Sequence, residues 1–288
     1  MDTQALQAFV TVAETGSFSI AAEKLHLTQP AISKRIATLE AQLDTRLFDR
    51  ISRSISLTEA GQLLLIRAEK ILQEVNDAIR AVHDLSGDVS GRLALATSHH
   101  IGLHRLPSVL RKFSTQHPHV KLDIDFMDSE AAHENILAGK LELAVVTLAP
   151  QNNPHLHAEK IWHDPLVFMV APNHPLLETN NITLRDLSHY PAVLPSTNTY
   201  TGQIVLELFR THQLNLELTL ATNYLETIRM MVSIGLGWSV LPATMLDKDV
   251  CSINVENIIL SRDLGCVWHR NKSLSNAAVA FMAALKSV

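Results

Sequence analysis

The stretch Thr28-Gln29-Pro30-Ala31-Ile32-Ser33-Lys34-Arg35-Ile36-Ala37-Thr38-Leu39-Glu40-Ala41 reads as one helix with two unlike faces. Thr28 can cap it, and Pro30 falls in the first turn, where the missing N–H is a donor with no helical partner in any case. Ile32, Ile36, Leu39 and Leu43 form an apolar stripe at helical spacing, while Pro30, Ser33, Lys34, Ala37 and Ala41 face away from it. A solvated helix face normally carries long charged side chains. This one is small and polar around a single lysine, as a helix seated in a DNA major groove must be. Gln29 can pair bidentately with adenine, Ser33 can hydrogen-bond either base type, and Lys34 can reach a guanine edge or a phosphate.

Upstream, Leu6, Phe9, Val10 and Ala13 predict a helix closed at Gly16-Ser17. A second helix follows, with Ser19 as its expected cap, the small pair Ala21-Ala22 for close approach, and Leu25 before the short turn His26-Leu27. Downstream, Leu47-Phe48-Asp49-Arg50 and Ser54-Ile55-Ser56-Leu57 alternate with period two across a Ser/Arg turn, which predicts a small hairpin, or wing. Arg50 and Arg53 sit at its tip, where arginines contact phosphates or enter the minor groove. Residues 24–53 carry a surplus of three positive charges within a chain whose net charge is −5, so a basic patch is local. A three-helix scaffold with a solvated basic face fits the same residues, and the order of the motifs separates the two readings.

That order is dense. Ala8-Phe9, Gly16-Ser17-Phe18-Ser19, Ala21-Ala22, Leu25, Thr28-Gln29-Pro30-Ala31, Ser33, Leu39-Glu40, Leu43, Leu47-Phe48, Arg50, Arg53 and Leu57-Thr58-Glu59-Ala60-Gly61 together resemble the N-terminal signature of the LysR-type transcriptional regulators. The resemblance implies DNA contact by Gln29, Pro30, Ser33, Lys34 and Arg53. Thr28 at the helix start and Arg50 in the wing complete the expected set. Arginine is common in the family where Lys34 stands, and lysine lacks the planar fork that reads guanine.

Thr58 can cap a long helix running to Ser86, with stop signals at Gly87 and Gly91. Leu64, Ile71, Ala78 and Leu85 recur every seven residues, with Ala68, Val75 and Val82 between them, as a coiled-coil seam requires. Such a helix is about 40 Å long. The seam can pack on the chain's own body or on a second chain. Pairing is favoured because one DNA-binding unit covers only a half-site. The resemblance implies a homodimer formed through this helix, assembling further into a tetramer on promoter operator DNA, with RNA polymerase as a further expected partner.

From Arg92 onward strands and helices alternate: Leu93 to Thr97, a helix with Leu106, Val109, Leu110 and Phe113, Val120 to Phe126, a helix ended by Gly139, then Leu143 to Thr147. This predicts a parallel α/β unit. Further strands are expected at Val167 to Ala171, Ala192 to Leu194, Leu216 to Thr222 and Trp238 to Leu241. Cys266 to Trp268 and Ala277 to Leu285 form a strand and helix that could return to the first lobe. Gly235-Leu-Gly-Trp-Ser-Val-Leu-Pro242 and Leu274-Ser-Asn-Ala-Ala278 look like the family's C-terminal signatures, so the likeness covers nearly the whole chain. The expected fold is α/β overall: a winged helix-turn-helix over 1–58, a linker and dimerisation helix over 59–90, and a two-lobed effector domain over 91–288 resembling periplasmic binding proteins. Lobe I is expected at about 91–164 and 266–288, lobe II at about 165–265.

Ligands in open α/β sheets bind beyond the carboxyl ends of strands, against helix N-termini. Those ends are Ser98, His99 and His100; Asp128 and Ser129; Thr147; and Ser196, Thr197, Asn198 and Thr199. Each Ser or Thr could equally be a plain helix cap. Hydroxyls beside helix N-termini suit a small carboxylate or other anion, and His99 or His100 could add positive charge. Asp128, if it points inward, would suit an amine on the same molecule.

Other function classes fare worse. Hydrophobic residues make up 47% and mean hydropathy is +0.11, the composition of a compact protein. No apolar run approaches the roughly 18 residues of a membrane span, and Met1-Asp2-Thr3-Gln4 lacks an export signal, so a cytoplasmic location is expected. This also counts against an exported solute-binding protein. Fifteen histidines occur without an HExxH, GxSxG or phosphate-loop motif, so neither catalysis, a metal site nor a cofactor is expected. Cys251 and Cys266 have no metal-ligand spacing and read as free thiols, with nothing basic nearby to make a redox thiolate.

Overall fold

The structure, a computed structural model, describes residues 1–51, 54–85 and 87–287. It divides into two compact units, Met1–Ser86 and Gly87–Val288, so the long linker helix belongs with the N-terminal elements.

In the first unit, α1 (Thr3–Thr15) ends at Gly16, α2 (Phe18–Lys24) follows, and α3 (Gln29–Leu43) begins at the Thr28 cap, whose hydroxyl accepts from the Ala31 N–H at 3.4 Å. The cap of α2 is Ser17, which accepts from Ile20, and not Ser19 as the sequence suggested; Phe18 is already helical and buried. Ile32, Ile36 and Leu39 are fully buried as expected, but Leu43 is 39% exposed because α3 ends there, with Asp44 in the left-handed region at φ 49°. Strands β1 (Phe48–Ile51) and β2 (Ser54–Leu57) form the hairpin. Phe48 lies between Phe9 and Phe18, with ring centroids at 5.3 and 5.9 Å, pinning the hairpin to the helices. Glu40 accepts from the Leu47 N–H at 2.8 Å, so this carboxylate steadies the hairpin's entry rather than diluting a basic face.

Helix α4 (Glu59–Asp84) is capped by Thr58, whose hydroxyl accepts from the Gly61 N–H at 3.0 Å. Gly61 has a steric reason to be glycine: a Cβ there would stand 2.2 Å from the Leu47 carbonyl oxygen. The start of α4 thereby sits directly on the chain entering the wing.

The second unit runs β3 (Gly91–Thr97), α5 (His99–His104), α6 (Leu106–Gln116), β4 (Val120–Phe126), α7 (Ser129–Leu137) and β5 (Leu143–Thr147). It continues with β6 (Leu156–Val170), α8 (Leu184–Leu187), β7 (Ala192–Leu194), α9 (Tyr200–Thr211), β8 (Leu218–Ala221) and α10 (Leu225–Ser233). Then come β9 (Ser239–Pro242), β10 (Cys251–Ile253), β11 (Leu260–His269) and α11 (Asn276–Lys286). Strands β4, β3 and β5 are parallel, as the alternation predicted, and β5 pairs antiparallel with β11. Strands β6 and β11 pair along Leu156–Val170 and Leu260–His269, carrying one seven-stranded sheet from lobe I into lobe II, where β9 and β10 also join β6. The sequence placed only the ends of these two long strands. A shorter parallel pair, β7 and β8, lies in lobe II.

Each lobe has its own core. Phe113, Leu93, Leu95, Leu264 and Phe281 lie in one, so α11 does return to lobe I, and Phe209, Trp238, Val240 and Leu166 lie in the other. The Trp238 indole N–H donates to the carbonyls of Leu187 and Tyr190, both at 3.1 Å, which satisfies the polar edge of a fully buried ring.

Candidate functional site

On α3, Thr28, Gln29, Pro30, Lys34, Ala37 and Ala41 are exposed and Ser33 is half-buried, so the small polar face stands free of the first unit's core. The Gln29 amide donates to the Ser33 hydroxyl at 3.3 Å, aligning two candidate base-reading groups one turn apart. Arg35 turns away from that face and donates to Gln4 on α1 at 2.8 Å. Arg50 falls in β1 by its backbone, and Arg53 lies outside the described residues.

The candidate seam of α4 divides. Ala68 is fully buried and Leu64 is half-buried, both against the first unit's core together with Ala60, Leu65 and Leu72. Ile71, Val75, Ala78, Val82 and Leu85 are exposed, Val82 at 69%. Of the seven seam positions, these five are open to a partner.

In the second unit, the first turns of α5 and α7 and the end of β5 face the α9 and α10 side across a cleft that opens to solvent. Ser98, His99, His100, Asp128, Ser129, Thr147 and Thr199 all line it. Ser196, Thr197 and Asn198 do not. Their loop is turned by Thr199, whose hydroxyl donates to the Ser196 carbonyl at 2.7 Å and accepts from the Gly202 N–H at 3.1 Å. A Cβ at Gly202 would meet the Ser196 carbonyl oxygen at 2.3 Å, so α9 is docked tightly on this loop.

Several hydroxyls are already engaged. Ser129 accepts from the Thr147 N–H at 3.1 Å, whereas Ser98 makes no side-chain cap bond. Asp128 accepts from Asn223 at 2.6 Å, and Glu130 accepts from the Tyr200 N–H, so carboxylates of lobe I are met by donors of lobe II. Burial pushes the Glu130 carboxyl above its ordinary range, against the pull of the Tyr200 N–H. His99 stacks on Phe126 at 5.3 Å and meets Tyr224 at 4.8 Å. His100 is 4% exposed, and burial lowers its pKa and favours the neutral ring.

The sequence reading missed Glu130, Thr201, Asn223, Leu225 and Arg262, which line the same cleft. Arg262 is the most consequential. It stands opposite Asp164 where β11 crosses β6, donates to that carboxylate at 2.8 Å and to the Thr201 hydroxyl at 2.7 Å, and is 8% exposed. The sequence held no local signal for it, because β6 also carries Glu159 and Lys160 and β11 carries Asp263, so Arg262 and Asp164 do not stand out as a pair.

With this geometry in place, residues 3–62 match the family model described as bacterial regulatory helix-turn-helix protein, lysR family, and residues 86–288 match the LysR substrate binding domain. The chain belongs to the LysR family of transcriptional regulators. An uncharacterized HTH-type transcriptional regulator of Azotobacter vinelandii is 67% identical over 107 residues, covering 37% of this chain and 74% of that protein. Full-length CbnR complexed with its target DNA is similar in fold, with a TM-score of 0.71, 22% identity, and 100% and 99% of the two chains covered. The effector binding domain of QuiR in complex with shikimate matches 69% of this chain and 96% of its own at a TM-score of 0.62 and 19% identity. Among the described residues of this LysR-family regulator, no helix is long and apolar enough to cross a membrane.

The cysteines are placed far apart in this LysR-family chain. Cys251 pairs with Val170 and Cys266 with Glu159, eleven residues away on the same strand, or about 35 Å at strand rise. A disulfide needs Cα atoms within about 7 Å. Burial pushes the Cys266 thiol up to about 12, so it is almost wholly protonated at neutral pH. Under native conditions an aromatic disulfide reagent should therefore modify at most Cys251, and both thiols only after denaturation; rapid native titration of both would contradict this placement.

Proposed function

We propose that this LysR-family regulator reads operator DNA through α3 as a homodimer joined along α4, and that a small carboxylate in the cleft controls it. The observation that carries the reading is the α3 face: Gln29, Pro30, Lys34, Ala37 and Ala41 exposed over fully buried Ile32, Ile36 and Leu39. Small residues let the helix backbone approach base edges, and Gln29 and Ser33 supply the hydrogen-bonding groups that discriminate them. Thr28 and Lys34 serve the phosphates beside the helix start, and Arg50 and Arg53 extend the grip from the wing. In vitro selection should return a preferred duplex. On it, Gln29→Ala should lose about 1–3 kcal/mol of discrimination at one base while affinity for random duplex holds. Lys34→Ala should weaken binding to every sequence and reduce its salt slope by about one. Equal losses on selected and random duplex for Gln29→Ala would remove the base-reading role.

Pairing rests on the stretch of α4 from Ile71 to Leu85, where apolar side chains remain in water at helical spacing. A second copy supplies the matching stripe and the second half-site reader; tetramers on DNA and contact with RNA polymerase extend the same reading. Val82 is 69% exposed, so Val82→Asp removes no internal packing. Sedimentation should show that variant as a monomer with unchanged helical circular dichroism, and a persistent dimer would rule this seam out.

The cleft suits a small carboxylate that also carries hydroxyl or amino groups. Ser98, Thr201 and Arg262 offer donors for the anionic end, and Asp128 and Glu130 accept from the other. QuiR, which shares the fold, is seen with shikimate, a hydroxylated carboxylate. A thermal-shift screen of hydroxy- and amino-carboxylates should yield a hit whose stabilisation is lost in Ser98→Ala and Asn223→Ala and kept in Thr197→Ala, outside the cleft. A hit indifferent to the first two variants binds elsewhere.

A further inference from the structure

His100 and His104 lie four residues apart on α5, so they share one face of that helix, and Glu226 approaches them from the first turn of α10 in the opposite lobe. The His104 Nε2 is 2.9 Å from Glu226 Oε1, and the His100 Nδ1 is 3.5 Å from the same oxygen. All three ligand atoms lie within 4.8 Å of one another, the sole such group of His, Cys, Asp and Glu among the described residues. Donors held about 2.0–2.1 Å from a tetrahedral ion stand roughly 3.3 Å apart, close to the two contacts observed.

A second observation points the same way. The His100 side chain is 3% exposed, and neither of its ring nitrogens has a hydrogen-bond partner. Burying an imidazole with both nitrogens unsatisfied is costly. Coordination through Nδ1 satisfies that nitrogen in the neutral ring and leaves the proton on Nε2. The nearby Arg262 is already paired with Asp164, which tempers its repulsion of a second cation.

We propose that His100 Nδ1, His104 Nε2 and Glu226 Oε1 form a binding site for a zinc-type divalent transition metal that bridges the two lobes at the edge of the cleft. Two imidazoles and one carboxylate suit Zn²⁺, Co²⁺ or Ni²⁺ and not the all-oxygen shells of Mg²⁺ or Ca²⁺. Three protein ligands leave a fourth position for water or another donor. Because the histidines belong to lobe I and the glutamate to lobe II, the ion holds α5 against α10. The site stands independently of which organic molecule the cleft takes.

The test is titration of the full-length, chelator-treated protein with Co²⁺, whose visible d–d bands report tetrahedral nitrogen and oxygen coordination, followed by competition with Zn²⁺. One Co²⁺ per chain is expected, displaced by Zn²⁺, with affinity reduced about tenfold or more in both His104→Ala and Glu226→Gln. His157→Ala, which removes a solvent-facing histidine outside the cluster, should bind as the parent protein does. Both test residues are half-exposed, and circular dichroism verifies that the variants remain folded. No saturable binding, or parental affinity in either test variant, overturns the proposal. The readout needs neither DNA nor effector, so it succeeds or fails separately from the regulatory reading.

Discussion

A buried charge must be compensated where it lies, and in the second unit that constraint falls on Asp164 and Arg262. Asp164 is fully buried and Arg262 is 8% exposed, and they face each other across the two strands that pass between the lobes. Arg105 adds a second donor to Asp164 at 3.3 Å, and Arg262 spends another donor on Thr201 of α9. Burial disfavours the charged guanidinium, and the carboxylate beside it opposes that cost. Removing one member would leave the other stranded, a loss of about 3–5 kcal/mol for pairs of this kind. The geometry of β6, β11, α9 and the turn after α5 is therefore coupled at one point, and that point is a wall of the cleft.

Above this pivot the lobes meet through polar contacts rather than a shared apolar core. Asp128 with Asn223, Glu130 with the Tyr200 N–H, and His104 with Glu226 each pair a group of one lobe with a group of the other. Contacts of this type exchange readily with water or with a ligand's own polar atoms. A small molecule biases a polar seam of this kind only through a difference in its affinity for the two arrangements of the groups that form it.

How much was legible in the sequence depends on how local each feature is. The turn of α3 at Thr28-Gln29-Pro30 and the strand ends Ser98, Asp128 and Thr147 follow from spacing within a dozen residues, and the structure brings the latter to the cleft. Arg262 could not be placed that way, because its meaning depends on a strand partner 98 residues away. Asn223 and Glu226 likewise matter through lobe I groups on α5 and α7. The Ser17 and Ser19 mistake is of another kind: both can cap, and burial of Phe18 starts the helix one residue after Ser17. Ser196, Thr197 and Asn198 looked like ligands by position, yet the Thr199 hydroxyl turns their loop out of the cleft lining.

Helix α4 shows why periodicity alone overstates a seam. At about 100° per residue, Ala60, Leu64, Ala68 and Leu72 fall on one flank, and the first unit's core covers them. Ile71, Val75 and Val82 continue nearly the same stripe past the end of that core, and there the side chains stay in water. One apolar stripe is thus shared between an internal core and an open face, with the hand-over near Ile71 and Leu72. The hydrophobic effect does not distinguish the two halves, since each CH₂ gains equally from leaving water. Only the extent of the domain beneath the helix does, so the half beyond Leu72 keeps its apolar side chains in water.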